Sequence, residues 1–403
     1  MANIQALRGM KDIMNDDSKL FTYFIENCTT IAKQYGFNYL ETPILEETAL
    51  FKRGVGESSD IVSKEMYQFI DKGDNDVCLR PEGTAGVVRM FVEKKLDRAG
   101  GVHKYFYHGP MFRYERPQKG RLREFHQFGC ESFGEDSVYE DANIILMISQ
   151  MLKFFGIGYK LQLNSLGCQD CMPAYKENLV EHLNTLELCK DCDRRITTNS
   201  IRVLDCKNED CQKQLTNAPK ITNSLCETCN NDFEQLKTIL DKNGVEYEVD
   251  SSLVRGLDYY TKTAFEFVSD EIGAQSAIAG GGRYDRLVEF LGGKPTSAIG
   301  FAIGVERLLE LIQMKTTNED VIYIGAMCED ATDVVFSKVS QKRESSLIIT
   351  DYKVRSFGKH LNNAQKKGAT IVALVGDNEL KDNSIWIKNI QTQEEKTIKM
   401  EEF

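Results

Sequence analysis

The sequence lacks the marks of a membrane or exported protein. Its longest apolar runs, such as Ile144-Ile145-Leu146-Met147-Ile148, fall far short of the ~20 residues a bilayer span needs. The opening Met1-Ala2-Asn3-Ile4-Gln5 has no apolar core of the kind a signal peptide carries. Positive charge is not in excess: 50 basic residues stand against 61 acidic ones, a formal net charge of −11. That balance argues against a general nucleic-acid coat and against a membrane-surface protein, while leaving room for local basic patches. No internal repeat or low-complexity segment is present. The expectation is a soluble, cytoplasmic protein without membrane contacts. In that compartment the twelve cysteines are metal ligands, reactive thiols or buried thiols rather than disulfides.

What is present is a chain of 403 residues, 41% apolar, enough for two to three domains of about 150 residues with real cores. Residues 16–35 read as a helix capped by Asp16 or Asp17, with Phe21, Phe24, Ile25 and Cys28 on one face. Residues 105–113 and 125–131 read as strands joined by the polar loop Glu115 to Glu124, longer than a tight hairpin turn. Residues 160–248 are cysteine-rich and read as an insertion between two parts of one catalytic domain, 1–159 and 249–315. A helix is predicted over about 304–314 and a polar linker over 316–320. Beyond it, strands at 321–324, 346–350 and 370–375 alternate with helices at 331–343 and 357–367, the pattern of a small α/β domain with a partly parallel sheet. This domain, 321–403, carries twelve basic and twelve acidic side chains, so the −11 belongs to the rest of the chain. Within it Lys353, Arg355, Lys359, His360, Lys366 and Lys367 follow one another with no acid between them.

Three segments carry chemistry. Arg113, Arg121 and Arg123 surround a loop, with Phe125 beside it. Guanidinium forks bind phosphate bidentately, and an aromatic face suits a purine ring. Arg307 falls in the first turn of its predicted helix, where the helix end is itself positive, a place that suits a cation only if it meets an anion. Glu82, after the strand-like Val77-Cys78-Leu79, is a carboxylate placed to hold an ammonium. Each has a plainer reading alone: a solvated loop, an arginine reaching water, a capped helix start. The eight cysteines at 168, 171, 189, 192, 206, 211, 226 and 229 form four close pairs. Two tetrahedral zinc sites would use all of them; reduced, buried thiols are the alternative. Cys28, Cys78, Cys130 and Cys328 are isolated and read as core residues.

Taken in order, Leu7-Arg8-Gly9-Met10-Lys11-Asp12, Arg80-Pro81-Glu82-Gly83-Thr84, Phe112-Arg113-Tyr114-Glu115-Arg116-Pro117-Gln118, Arg255-Gly256-Leu257-Asp258-Tyr259-Tyr260, Gly280-Gly281-Gly282-Arg283-Tyr284-Asp285 and Ala298–Leu309 resemble the signature segments of class II aminoacyl-tRNA synthetases. More narrowly they resemble histidyl-tRNA synthetases, because Arg-Gly-Leu-Asp-Tyr-Tyr marks that family among its class II relatives. The resemblance implies an α+β catalytic domain built on an antiparallel sheet, a cysteine-rich helical insertion and a C-terminal α/β anticodon-binding domain. It implies an enzyme that activates histidine with ATP, accompanied by Mg2+, and passes the histidyl group to the 3′ end of its cognate tRNA, working as a homodimer. Glu82, Gly83, Thr84 and Gln127 would bind histidine at its ammonium, and Glu131, Tyr259 and Tyr260 around its imidazole. Arg113 and Arg255 would act on the α-phosphate; Arg121, Phe125 and Arg307 would bind the rest of ATP. Arg116 and Gln118 would meet the tRNA acceptor end, and Lys353, Arg355 and Lys359 its anticodon region. Members of the family often continue past the point where this chain stops at Phe403, so some anticodon contacts are expected to be absent or rebuilt. The rival reading is a regulatory paralogue that binds histidine without aminoacylation; such relatives lack the tail domain and lose some of these arginines. Arg255→Ala is expected to cut histidine-dependent ATP–pyrophosphate exchange at least roughly 100-fold, the scale of losing a preorganised charge stabiliser. Near-normal exchange removes the role given to Arg255.

Overall fold

The computed structural model describes residues 4–56, 59–204, 206, 208–254, 257, 259–272, 277–313 and 320–403. Two compact units divide the chain, Met1–Gln313 and Met314–Phe403.

The first unit is organised by an eight-stranded sheet in the order Asn38–Tyr39, His103–Phe112, Glu124–Phe133, Ala298–Gly304, Ala277–Arg283, Thr261–Val268, Lys160–Ser165, Glu248–Val249. The six long strands pair antiparallel throughout; only the two-residue edge strands pair in parallel. Strand alternation splits the side chains between two faces. Phe106, Phe128, Cys130, Phe265 and Phe301 point to one core, completed by helices Asn15–Gln34, Val138–Phe154 and Glu227–Lys242. Tyr107, Met111 and Phe133 belong to a second core under helix Thr84–Glu93. Phe125, Gln127, Gly129 and Glu131 alternate with the first set and so share the opposite face.

Several boundaries differ from the sequence expectations. The first helix starts at Asn15 with Met14 in the cap position, so Asp16 and Asp17 do not cap it. They lie in its first turn, where carboxylates complement the helix dipole. The two central strands run to Phe133 and from His103, because their ladder continues through His103 opposite Phe133 and Lys104 opposite Ser132. Arg113 therefore stands just beyond its strand, tied by its N–H to the Arg123 carbonyl at 2.9 Å. The helix predicted over 304–314 is only Val305–Leu309.

The insertion builds its own small core, in which Tyr175, Leu179, Leu183 and Val203 pack with Cys192, Cys206 and Cys211. The second unit is a five-stranded sheet in the order Leu347–Asp351, Val321–Ala326, Ile371–Val375, Ser384–Asn389, Glu395–Lys399. Its first three strands are parallel, as expected, and the last two add antiparallel. The final pair was not expected, although Ser384-Ile385-Trp386-Ile387-Lys388 is a β-branched and aromatic run that suits a strand. His360 does not join the surface basic stretch: it is fully buried over Gly325, its Nε2 2.8 Å from the Ala326 carbonyl and its Nδ1 2.8 Å from the Tyr323 hydroxyl. Burial lowers its pKa and keeps it neutral.

Two glycines decide the second core. A Cβ on Gly83 would lie 2.2 Å from the Tyr107 ring, and one on Gly129, paired across the ladder with Tyr107, 2.4 Å from it. Gly129→Ala is expected to cost about 1–3 kcal/mol of stability by overpacking. Gly158→Ala, where an added Cβ meets nothing within 4 Å, serves as control. Urea unfolding measures both; equal midpoints would show that Tyr107 has room to move.

Candidate active site

One cavity on the glycine-bearing face gathers Glu82, Thr84, Arg113, Arg121, Phe125, Gln127, Tyr259, Tyr260 and Arg307, nine of the residues named from sequence. Its walls come from the start of helix Thr84–Glu93, the 113–123 loop, the strands Glu124–Phe133, Ala298–Gly304, Ala277–Arg283 and Thr261–Val268, and the segment before the last of these. Gly280, Ala302 and Gly304 leave part of the wall without bulk, which lets a ligand approach the backbone closely.

One end is cationic. Arg113 donates from Nε to the Pro81 carbonyl at 2.9 Å and lies over the Phe125 ring, 5.1 Å from its centroid. Arg121 is paired with Glu115. Arg307 donates to the carbonyls of Gly120 at 2.9 Å and Ala277 at 2.8 Å. Burial pulls the pKa of Arg113 and of Arg307 below the usual arginine range, and the neighbouring guanidiniums push the same way. Like charges held this close favour a polyanionic ligand. The dipole argument for Arg307 does not carry over, since a five-residue helix has little dipole; carbonyl contacts place this side chain instead.

The other end is a polar slot. Glu82 accepts from the backbone N–H of Thr84 at 2.7 Å and of Ala85 at 3.0 Å, so it holds the start of its helix and lines the cavity at once. Each of its oxygens keeps acceptor capacity for an ammonium. Gln127 Oε1 and the Tyr259 hydroxyl are buried here with no hydrogen-bond partner among the described residues. Unpaired buried polar atoms are costly, so a ligand that satisfies them gains that energy.

Glu131 lies one layer deeper. It is fully buried and does not line the cavity. Its carboxylate accepts from Thr84 Oγ1 at 2.7 Å, from the Tyr107 hydroxyl at 3.2 Å and from the Tyr284 hydroxyl. Gly300 opposite it makes the room, because a Cβ there would overlap the carboxylate. Gly83 likewise makes space for Tyr107 rather than lining the cavity. Burial pushes the Glu131 pKa up to about 8, opposed by the three hydroxyl bonds. Tyr107 and Tyr284 were not singled out from sequence; the pairing of Tyr107 with Gly129 appears only in the register of the ladder. Glu306 was also missed: it accepts from the His126 N–H at 2.9 Å and contacts its Nδ1 at 2.8 Å. Arg283 is structural, buried against Asp141 at 2.6 Å.

Arg255 lies outside the described residues. Arg116 and Gln118 are exposed on the 113–123 loop. In the second unit Lys353 and Lys359 are exposed, Arg355 pairs with Asp351 at 2.6 Å, and the exposed rings of Phe336 and Tyr352 lie 6.1 Å apart.

The eight cysteines converge in two nested groups, Cys168, Cys171, Cys226 and Cys229, and Cys189, Cys192, Cys206 and Cys211, with the sulfurs of each group within 4.8 Å of one another. All are free thiols. Backbone N–H groups of Cys226 and Cys189 donate to Cys171 Sγ at 3.1 Å and Cys211 Sγ at 3.3 Å.

The antiparallel sheet and the arginine-ended cavity over it are those of a class II aminoacyl-tRNA synthetase. Residues 9–308 match the family model for histidyl-tRNA synthetase, and residues 321–403 match the anticodon binding domain. The histidine–tRNA ligase of Sulfurimonas denitrificans is 62% identical over 99% of this chain and 100% of its own length; that of Campylobacter fetus is 58% identical over 98% of each. The apo crystal structure of Staphylococcus aureus histidyl-tRNA synthetase aligns with a TM-score of 0.83 at 35% identity, over 99% of this chain and 98% of that one. The chain belongs to the histidyl-tRNA synthetase family. It is a ligase that activates histidine with ATP and charges tRNA with it. Among the described residues no helix is long and apolar enough to cross a membrane.

The buried Glu131 carboxyl makes stability fall with pH. Folded protein keeps its proton up to about pH 8, while the unfolded chain releases it near the ordinary value of about 4.3. Between those values the folded state binds more protons, so wild type should lose on the order of 1 kcal/mol per pH unit relative to Glu131→Gln. Urea midpoints compared at pH 5.5 and 7.5 check the slope; parallel lines would mean that Glu131 is ionised across the range.

Proposed function

We propose that the cavity divides between the two substrates, with ATP at the arginine end and histidine in the polar slot. The observation that carries this is the meeting of Arg113, Arg121 and Arg307 with Glu82, Thr84, Gln127, Tyr259 and Tyr260 in one cavity. The histidine ammonium sits against Glu82, Thr84 and Gln127. Its imidazole points between Tyr260 and the Thr84 hydroxyl, behind which Glu131 waits. The histidine carboxylate, already ionised, attacks the α-phosphorus; the new O–P bond forms as the bond to the leaving pyrophosphate breaks. Arg113 and Arg255 stabilise charge on the α-phosphate, Phe125 offers its face to adenine, and Arg121 and Arg307 hold the outer phosphates or the base. The terminal tRNA hydroxyl then attacks the acyl carbon and AMP leaves.

Mg2+ accompanies the triphosphate. Glu115 and Glu266 line the cavity near Arg121 and Arg307 and offer the hard oxygen donors such an ion takes. Arg116 and Gln118 meet the acceptor end. Lys353, Arg355 and Lys359 position anticodon phosphates, with Tyr352 and Phe336 as stacking faces for its unpaired bases. The enzyme works in the cytoplasm as a homodimer, which would cover exposed apolar side chains such as Tyr39, Leu45 and Phe69. Each cysteine group holds one structural zinc. Tetrahedral bonds of about 2.3 Å to four thiolates put the sulfurs about 3.8 Å apart. The separations are 3.7 Å for Cys168–Cys171, 3.8 Å for Cys168–Cys226 and 3.9 Å for Cys189–Cys206.

Exchange kinetics test the division. Arg307→Ala should raise KM for ATP about tenfold or more, the scale of a lost charge-assisted hydrogen bond, and leave KM for histidine nearly unchanged. Gln127→Ala should do the reverse. If both changes act on the same substrate, the two ends have been misassigned.

A further inference from the structure

We infer that the two cysteine groups are unequal: zinc at Cys168, Cys171, Cys226 and Cys229 positions the histidine slot, whereas zinc at Cys189, Cys192, Cys206 and Cys211 only holds the insertion together. The inference rests on the zinc reading above and adds a role to one of the sites.

Cys168 and Cys171 follow strand Lys160–Ser165 after the short link Leu166-Gly167. That link is bonded on both sides to Lys262: the Leu166 N–H donates to the Lys262 carbonyl at 2.6 Å, and the Lys262 N–H to the Gly167 carbonyl at 2.8 Å. Lys262 stands two residues after Tyr260 and has φ +47, a left-handed conformation that a lysine keeps only when its surroundings impose it. Its Nζ is 3.1 Å from Asp232, three residues after Cys229 on helix Glu227–Lys242. One pair of the group thus grips the segment through backbone bonds and the other through an ion pair. Gly167 is packed on Cys171, since a Cβ there would lie 2.6 Å from the cysteine Cβ. A second cavity is lined by both Cys168 and the Tyr259–Tyr260 pair, so this sulfur group borders the wall of the slot.

The other group sits in the insertion's own core. Toward the cavity that core packs on Val254, its Asn199, Ile201 and Arg202 share the second cavity, and Arg195 pairs with Asp60 at 2.9 Å, with side chains 21% and 37% exposed. Such a partly exposed pair holds little, about 0–1 kcal/mol. Losing this zinc should loosen the insertion without moving Tyr259 or Tyr260.

The test uses full-length protein, zinc analysis and exchange kinetics. Wild type should contain about two zinc ions per chain. Cys226→Ser should lose one and raise KM for histidine about tenfold, with KM for ATP within twofold and kcat at saturating histidine within about threefold. Cys206→Ser should also lose one and leave both KM values within twofold. Lys262→Ala covers the case in which Cys226→Ser does not fold: it should keep both ions, raise KM for histidine about threefold, and be rescued by Lys262→Arg. Wild type without zinc would overturn the zinc reading itself. Two ions in wild type, with an unmoved histidine KM in Cys226→Ser or in Lys262→Ala, would overturn only the positioning role. So would an equal rise in Cys206→Ser.

Discussion

Keeping three guanidinium groups around one cavity is the constraint to which the rest of the catalytic unit answers. Arg113 and Arg307 are partly removed from water, and burial first and the neighbouring guanidinium groups second lower their affinity for a proton. Carbonyls and carboxylates together hold the forks: Pro81 for Arg113, Gly120 and Ala277 for Arg307, Glu115 for Arg121, with Glu65 and Glu82 acting on Arg113 and Glu266 and Glu310 on Arg307. The strand pair His103–Phe112 and Glu124–Phe133 brings Arg113 and Phe125 together at one end of its ladder. On the proposed division a triphosphate meets this positive field, which would then serve the charge that develops at the α-phosphorus.

The end proposed for histidine is built the opposite way. It is short of charge and rich in fixed hydrogen-bonding groups. Glu131 sits behind Thr84 with three hydroxyl donors; it fits only because Gly300 lacks a side chain, and its donor Tyr107 only because Gly83 and Gly129 lack theirs. A slot of this kind selects its ligand by leaving polar atoms unpaired when the wrong one enters. Gln127 and Tyr259 carry such atoms at the cavity surface.

Much of this was legible in the sequence, for a physical reason. The contiguous segments 80–84, 112–118 and 298–309 each carry a local chemical purpose, and most of the residues named from them line one cavity. What depends on cross-strand register was not legible. The depth of Glu131 opposite Gly300 and the fit of Tyr107 opposite Gly129 follow from which residue faces which across the ladder, and the parts of Gly83 and Tyr284 from the packing of separate segments onto it. The spacing of the cysteines showed four pairs but not their nesting, which the path of the insertion decides. In the tail, His360 reads as one more base in a basic run, and only burial over Gly325 removes it. The last two tail strands were missed because the helix before them, Asp377–Lys381, is too short to show a periodic pattern and the two strands pair with each other across a turn.

The most direct measurement is a crystal structure with a non-hydrolysable histidyl-adenylate analogue. The account predicts the phosphate mimic beside Arg113, the adenine on the face of Phe125, the ammonium at Glu82 and Gln127, and the imidazole at the Tyr260 end. An imidazole among the arginines, or an adenine away from Phe125, would contradict it.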